Sequence, residues 1–283
     1  MVKIKHIDDR TNAKNNQKPI INILWTGGWD STYRIVELSR RVCVVQPIYV
    51  YGDNRLSEKY EINAMYKILK ELRKKPSTKA EFLPIKFINK KDIPANQEIT
   101  NAYNIIAKNT NLGSQHEWLA RLAYSYPGLE LGTEASPLSI SNILKAINQY
   151  GKLIKDKSGE GYILDPVESS NEGILVLGNF KFPIIKKTGK DMKKDIQSWG
   201  YEDVMKNVWV CHTPLYGKPC GLCHPCELKI ETGMSFLLTR SAVKRYRNSK
   251  KPFFRYLYKS ELLLNKVIKR LFSKVFVKRM DIQ

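Results

Sequence analysis

Residues 21–32 read INILWTGGWDST. The apolar run Ile21-Asn22-Ile23-Leu24-Trp25 reads as a short buried strand, and the periodic residues 33–41 read as a helix. Glycine lets a backbone turn sharply and lets a ligand approach closely, so Gly27 and Gly28 mark the turn between the two elements. Amide groups at a helix start point outward, and the helix dipole favours an anion there. Thr26, Ser31 and Thr32 offer hydroxyls, and Asp30 can accept a hydrogen bond or hold a metal through oxygen. The stretch is therefore a candidate cradle for a phosphate or pyrophosphate. It is not a Walker loop, because no Lys follows the second glycine, and it is not GxGxxG. A Gly-rich turn without a ligand is the plainer alternative.

The rest of the first two hundred residues alternates strand and helix patterns. Residues 42–51, VCVVQPIYVY, are rich in β-branched residues and predict a second strand. Pro47 lacks a donor and predicts a bulge or an edge there, while Cys43 in the same run reads as core. Residues 58–75 have helical spacing, residues 82–88 predict a third strand, and residues 101–108 and 118–126 predict helices. Ligands in open α/β sheets gather beyond the carboxyl ends of strands. That rule singles out Tyr51 and Gly52 after the second strand, and Gly132 and Thr133 after a short strand at 129–131. Ordinary turns explain the same residues equally well. His116 and Glu117 could form a base and its partner, or simply begin a helix. Residues 152–161 are polar and predict a mobile loop. Lys190 stands at the start of a predicted helix ending near Trp199, where it could reach a phosphate or remain a solvated surface cation.

Cysteines 211, 220, 223 and 226 form C-x8-C-x2-C-x2-C, with Pro214, Pro219, Gly221 and Pro225 allowing a tight knuckle. Four thiolates at this spacing predict a closed tetrahedral site, with Zn2+ as the first expectation and a structural role. His212 or His224 replacing one thiol, an iron–sulfur cluster, and a redox or sulfur-transfer thiol pair remain as alternatives.

The chain of 283 residues carries a formal net charge of +21. Between residues 240 and 283, fourteen Lys or Arg stand against Glu261 and Asp281. Leu264, Val267, Ile268, Leu271, Phe272, Val275 and Phe276 recur there at helical spacing. A basic amphipathic helix follows, which fits the protein's own body, a partner chain as in a homodimer, an anionic membrane surface or a nucleic acid. The absence of an eighteen-residue apolar run and of an apolar leader predicts a cytoplasmic protein. The expected division is a mobile arm at 1–18, a nucleotide-binding α/β domain at 19–200, a cysteine segment at 201–235 and a basic tail at 236–283.

In order along the chain come TGGWDST, then YGD after the second strand, then P-x4-TGKDM late, and then C-x8-C-G-x-C-x2-C. This arrangement resembles the PP-loop ATP pyrophosphatases, with Thr26 in place of the first Ser of S-G-G-x-D-S, and within them the 7-cyano-7-deazaguanine synthases. The resemblance spans about residues 21–233. It implies a Rossmann-like parallel sheet, with Thr26, Gly27, Gly28, Asp30, Ser31 and Thr32 holding ATP and Mg2+. It also implies Tyr51, Gly52 and Gly132 bordering the ligand, Lys190 as the late lysine, and Zn2+ on the four cysteines. The implied reaction is ATP-dependent amidation: adenylation of a small-molecule carboxylate such as 7-carboxy-7-deazaguanine, then attack by ammonia, with AMP and pyrophosphate released. Asp30, Ser31 and Lys190 are the implied catalytic residues. The family's Arg-Asn pair before its middle helix is Ser114-Gln115 in this chain, residues 135–141 replace its substrate segment, and the tail is extra. A divergent member is therefore expected, acting on a different acid or a macromolecule, as relatives in anti-phage defence do. A PP-loop tRNA-modifying enzyme of the thiolation type and a non-catalytic ATP-binding subunit are the rival expectations.

Overall fold

The computed structural model describes residues 18–53, 55–137, 141–254, 256–258, 260–264 and 267. The expected arm at 1–18, all but its last residue, and most of the amphipathic stretch beyond 264 lie outside these residues.

Strand β1 (Ile20–Leu24) leads through the glycine turn into helix α1 (Trp29–Ser39). Then follow β2 (Val44–Tyr51), α2 (Glu58–Arg73), β3 (Glu81–Phe82), β4 (Lys86–Asn89), α3 (Gln97–Thr110) and α4 (Gln115–Ser125). The chain continues with β5 (Leu129–Glu130), α5 (Asn142–Tyr150), β6 (Leu153–Lys155), β7 (Tyr162–Leu164), α6 (Asn171–Leu177) and β8 (Phe180–Lys181). Helices α7 (Gly189–Trp199), α8 (Glu202–Met205), α9 (His224–Glu231) and α10 (Arg240–Ser249) follow.

The main sheet is parallel, in the order β3-β2-β1-β5-β8, with β4 also pairing β2. Successive strand residues point to opposite faces. Ile23, Trp25, Val45 and Tyr49 enter a core beneath α1, α2 and α7, while Leu24, Ile48 and Val50 enter a second core beneath α3, α4 and α6. Burial on both faces explains why these strands read as continuous apolar runs. The chain passes from β1 to β2 on one side and reaches β5 on the other, so the strand order reverses between β1 and β5. The crevice beyond the carboxyl ends at such a reversal is where open α/β sheets bind ligands.

Two expectations change here. Pro47 is neither at an edge nor in a bulge: it pairs with Ile23 inside the sheet. On its other side the neighbouring strand is broken between β3 and β4, so no ladder donor is missed there. The expected third strand is thus two short pieces. Residues 152–161 are part of an antiparallel hairpin, β6–β7, with Leu153 opposite Leu164. Its turn is tied by Asp156, which accepts from the Ser158 hydroxyl and the Gly161 amide and pairs with Lys181. No helix among the described residues is long and apolar enough to cross a membrane.

Candidate functional site

Gly28 caps α1 in an extended conformation, and Asp30 lies in the first turn of the helix. The turn after β5 closes against this helix start. A Cβ on Gly132 would stand 3.0 Å from both the amide nitrogen and Cα of Ser31, tighter than ordinary side-chain contacts, so glycine suits the close approach. A second tie lies deeper. Arg34 of α1 donates to both carboxylate oxygens of Glu130 in β5, through Nε at 2.8 Å and a terminal nitrogen at 2.7 Å, and both residues are buried.

Two clefts flank the loop and share Thr26, Gly28, Trp29 and Asp30 as a common wall. The first, about 180 Å³, is mostly apolar: Leu24, Ile48, Val50, Trp118, Leu119 and Leu131 line it, with Arg55 and Gln115 as polar groups. The second, about 260 Å³, is lined by Glu61, Glu134, Trp209, His212, His224 and Lys229, among others.

The second cleft is walled by the cysteine knuckle, which the sequence places almost two hundred residues downstream. The Trp209 amide donates to the Gly27 carbonyl at 2.8 Å, and the Trp209 ring stacks on Tyr60. From α9, Lys229 reaches Asp30 Oδ1 at 3.2 Å and Glu134 Oε1 at 2.9 Å. Burial alone would lower the ammonium pKa, but the Asp30 and Glu134 charges outweigh it and hold the group above the ordinary lysine value. Burial, and then the neighbouring Asp30 charge, push Glu134 upward despite its lysine partner. Oε2 of Glu134 is buried with no hydrogen-bond partner among the described residues. Sequence reading missed both residues. A lysine on a short polar helix ordinarily reads as solvated; the usable signal was its place three residues after Cys226, on a helix held by the cluster.

The four sulfurs lie within 4.8 Å of one another. Cys211 and Cys220 are 3.6 Å apart, and Cys223 and Cys211 are 3.9 Å apart. A single ion with bonds of about 2.3 Å to sulfur gives tetrahedron edges of about 3.8 Å, so the set fits one Zn2+. An iron–sulfur cluster spreads its thiolates over several iron atoms and needs wider spacing. The amides of Leu222 and Cys223 donate to the Cys220 sulfur, and that of Cys220 to the Cys211 sulfur. A metal would take all four as thiolates. His212 and His224 line the second cleft and stand outside this set. Helix α10 is seated on the knuckle: Arg245 donates to the carbonyls of Pro219 and Cys220. Gly221, at φ +79°, abuts the Ala242 carbonyl so closely that a Cβ would stand 2.1 Å from it.

Of the residues singled out in sequence, Thr26, Gly28, Asp30, Ser31 and Gly132 line the clefts. Gly27 contributes its carbonyl to Trp209. Thr32 is turned inward, its hydroxyl accepting from the Trp25 indole at 3.0 Å. Tyr51 pairs with Asn89 across the sheet and Gly52 donates its amide to Glu58, so both stand outside the cleft linings. Lys190 is exposed at the start of α7 and is likewise outside them. Its neighbour Gly189 packs against Met234 and Glu134. His116 and Glu117 begin α4. The His116 ring meets the Gly113 carbonyl and Glu117 is clasped by Arg121, an arrangement that holds the helix start in place.

No family model, curated protein or solved structure matches this chain.

Proposed function

We propose that this chain is an ATP-dependent carbon–nitrogen ligase of the PP-loop type, activating a carboxylate by adenylation. The observation that carries the reading is the wall shared by two clefts at the start of α1, where the strand order reverses. An adenylating enzyme needs the α-phosphate of ATP between its two binding regions, reachable from both. In this reading the apolar cleft, with Trp118, Ile48 and Val50, takes the nucleoside. The amides of the Thr26–Ser31 segment and the dipole of α1 take the phosphates. Asp30 and Glu134 would supply oxygen ligands of the kind that Mg2+ prefers. Mg2+ would neutralise charge on the departing pyrophosphate. The acid occupies the second cleft. Its carboxylate oxygen bonds to the α-phosphorus as the bond to pyrophosphate breaks. The nitrogen of ammonia then bonds to the acyl carbon as AMP leaves, giving an amide.

The closed thiol set supports a structural metal over a sulfur-carrying pair, which sets the thiolation reading second. Arg240, Lys244, Arg247 and Lys251 fall at helical spacing on the exposed face of α10 and its end, and they make no ion pair among the described residues. That ridge suits a polyanionic partner.

The test is purified protein with ATP, Mg2+, an ammonium salt and 7-carboxy-7-deazaguanine, with products read by mass spectrometry. AMP with an amide or nitrile is the expected result. AMP alone points to another acid. If the protein binds a fluorescent ATP analogue but never releases pyrophosphate, ligase chemistry is wrong and a binding subunit takes its place.

A further inference from the structure

Lys229 occupies an unusual position for a lysine. Its side chain is 7% exposed, and its ammonium stands between two carboxylates that both border the second cleft. A buried charge is tolerated only when paired and hydrogen-bonded, and here the pairing is unequal. Glu134 gives one oxygen to the lysine and leaves the other without a donor, while Asp30 also faces the first cleft.

Asp30 and Glu134 bring two negative charges and Lys229 one positive charge. A divalent cation bridging these carboxylates would stand about 2.1 Å from each oxygen, in the space the ammonium fills at 2.9 and 3.2 Å. The two cations exclude each other there. Free metal would also turn the site from net negative to net positive at low dielectric. A metal carried by a triphosphate brings its own negative charge, and it offers the displaced ammonium a new partner.

We propose that Lys229 is a resident counter-ion: it holds Asp30 and Glu134 while the clefts are empty, and it passes its ammonium to the nucleotide phosphates when the metal–nucleotide complex enters. The site then refuses free metal and accepts metal only with nucleotide. This rests on the nucleotide reading above, and it assigns a role to a residue three positions beyond a cysteine of the cluster. Lys229 is a positioning residue in this scheme, acting through charge at the metal position.

The two sides of the scheme move in opposite directions when the charge is removed. In Lys229→Met, Mn2+ alone should bind more tightly and the nucleotide more weakly, each by about tenfold, the size of an ordinary coupling between sites. Lys229→Arg keeps the cation and should behave as wild type toward free Mn2+. The experiment uses the full zinc-loaded chain, Mn2+ titrated by electron paramagnetic resonance without nucleotide, and separately the affinity for the non-hydrolysable analogue α,β-methylene-ATP. Zinc content and circular dichroism report folding. If the Met variant loses zinc, Lys229→Gln, shorter but neutral and with two donors, replaces it. Equal Mn2+ affinity in wild type and the charge-removed variant overturns the inference, as does a parallel fall in both affinities. A wild type that binds no nucleotide sinks the functional reading alone, and the Mn2+ comparison still tests the lysine.

Discussion

Helix α1 is tied to the β5 strand and its turn by two ion-pair clusters, one turn apart, and they are built differently: the first is buried, the second half-buried. Arg34 and Glu130 meet fork to fork, and Glu37 takes the remaining guanidinium nitrogen at 2.6 Å. Every charge in that cluster is answered by geometry. Lys229, Asp30 and Glu134 share one ammonium between two carboxylates, with a carboxylate oxygen left over. The first pair closes a core. The second borders two clefts and depends on a helix that the cysteine cluster orients. Full satisfaction marks an element kept for its position; a deficit beside a cleft marks one kept for what it can receive.

The comparison breaks most visibly if a metal held by the four cysteines is removed. Metal binding at such sites contributes on the order of 10 kcal/mol to folding, so chelation should melt the knuckle and release Lys229 while leaving Arg34–Glu130 in place. Hydrogen exchange read by mass spectrometry should show residues 209–249 losing protection and residues 20–52 keeping it. Equal loss in both regions would mean that the two pairs are not independent. Next in size, Arg34→Met strands a buried Glu130 carboxylate and should cost about 3–5 kcal/mol in urea unfolding. Asp30→Asn should differ in kind: a stability change within about 1 kcal/mol, but a fall of about a hundredfold in pyrophosphate release, as when a transition-state electrostatic group is lost. Arg34 and Asp30 variants that behave alike would erase the distinction drawn between the pairs.

The smallest effect belongs to a buried group with no ion pair. Burial holds the His116 imidazole below its ordinary value of 6.5, only partly offset by the Gly113 carbonyl. The folded state therefore resists protonation. Its contribution is intact above about pH 6.5, declines as pH falls from there through the depressed folded value, and changes no further below it. Urea midpoints at pH 7.5 and 5.5 should fall further in wild type than in His116→Gln.

What could be read from sequence was local. The strand and glycine turn of residues 21–32 form where the pattern puts them, because apolar run and turn act within a few residues, but the helix begins at Trp29, four residues before the expected start, so Asp30, Ser31 and Thr32 are helical. The cysteine cluster was legible from spacing, since the C-x2-C steps leave the sulfurs little choice of neighbour. Lys229 and Glu134 were illegible because nothing within ten residues of either points to the other; their meeting is a product of topology. Thr32 looked like a phosphate ligand and is a partner of Trp25, a distinction set by one side-chain torsion. Pro47 was misread because its tolerance depends on a break in a different strand.

The amide of Trp209 on the carbonyl of Gly27 has a consequence in time. The glycine turn leaves the ribosome early, whereas the knuckle that walls the second cleft lies close to two hundred residues later in the chain. At roughly 5–20 residues per second, the turn waits about 10–40 s for that wall. Throughout synthesis the nascent chain carries the loop without the lysine or the tryptophan that completes it. A truncated product is therefore born with the glycine turn but without the wall that Trp209 and Lys229 supply.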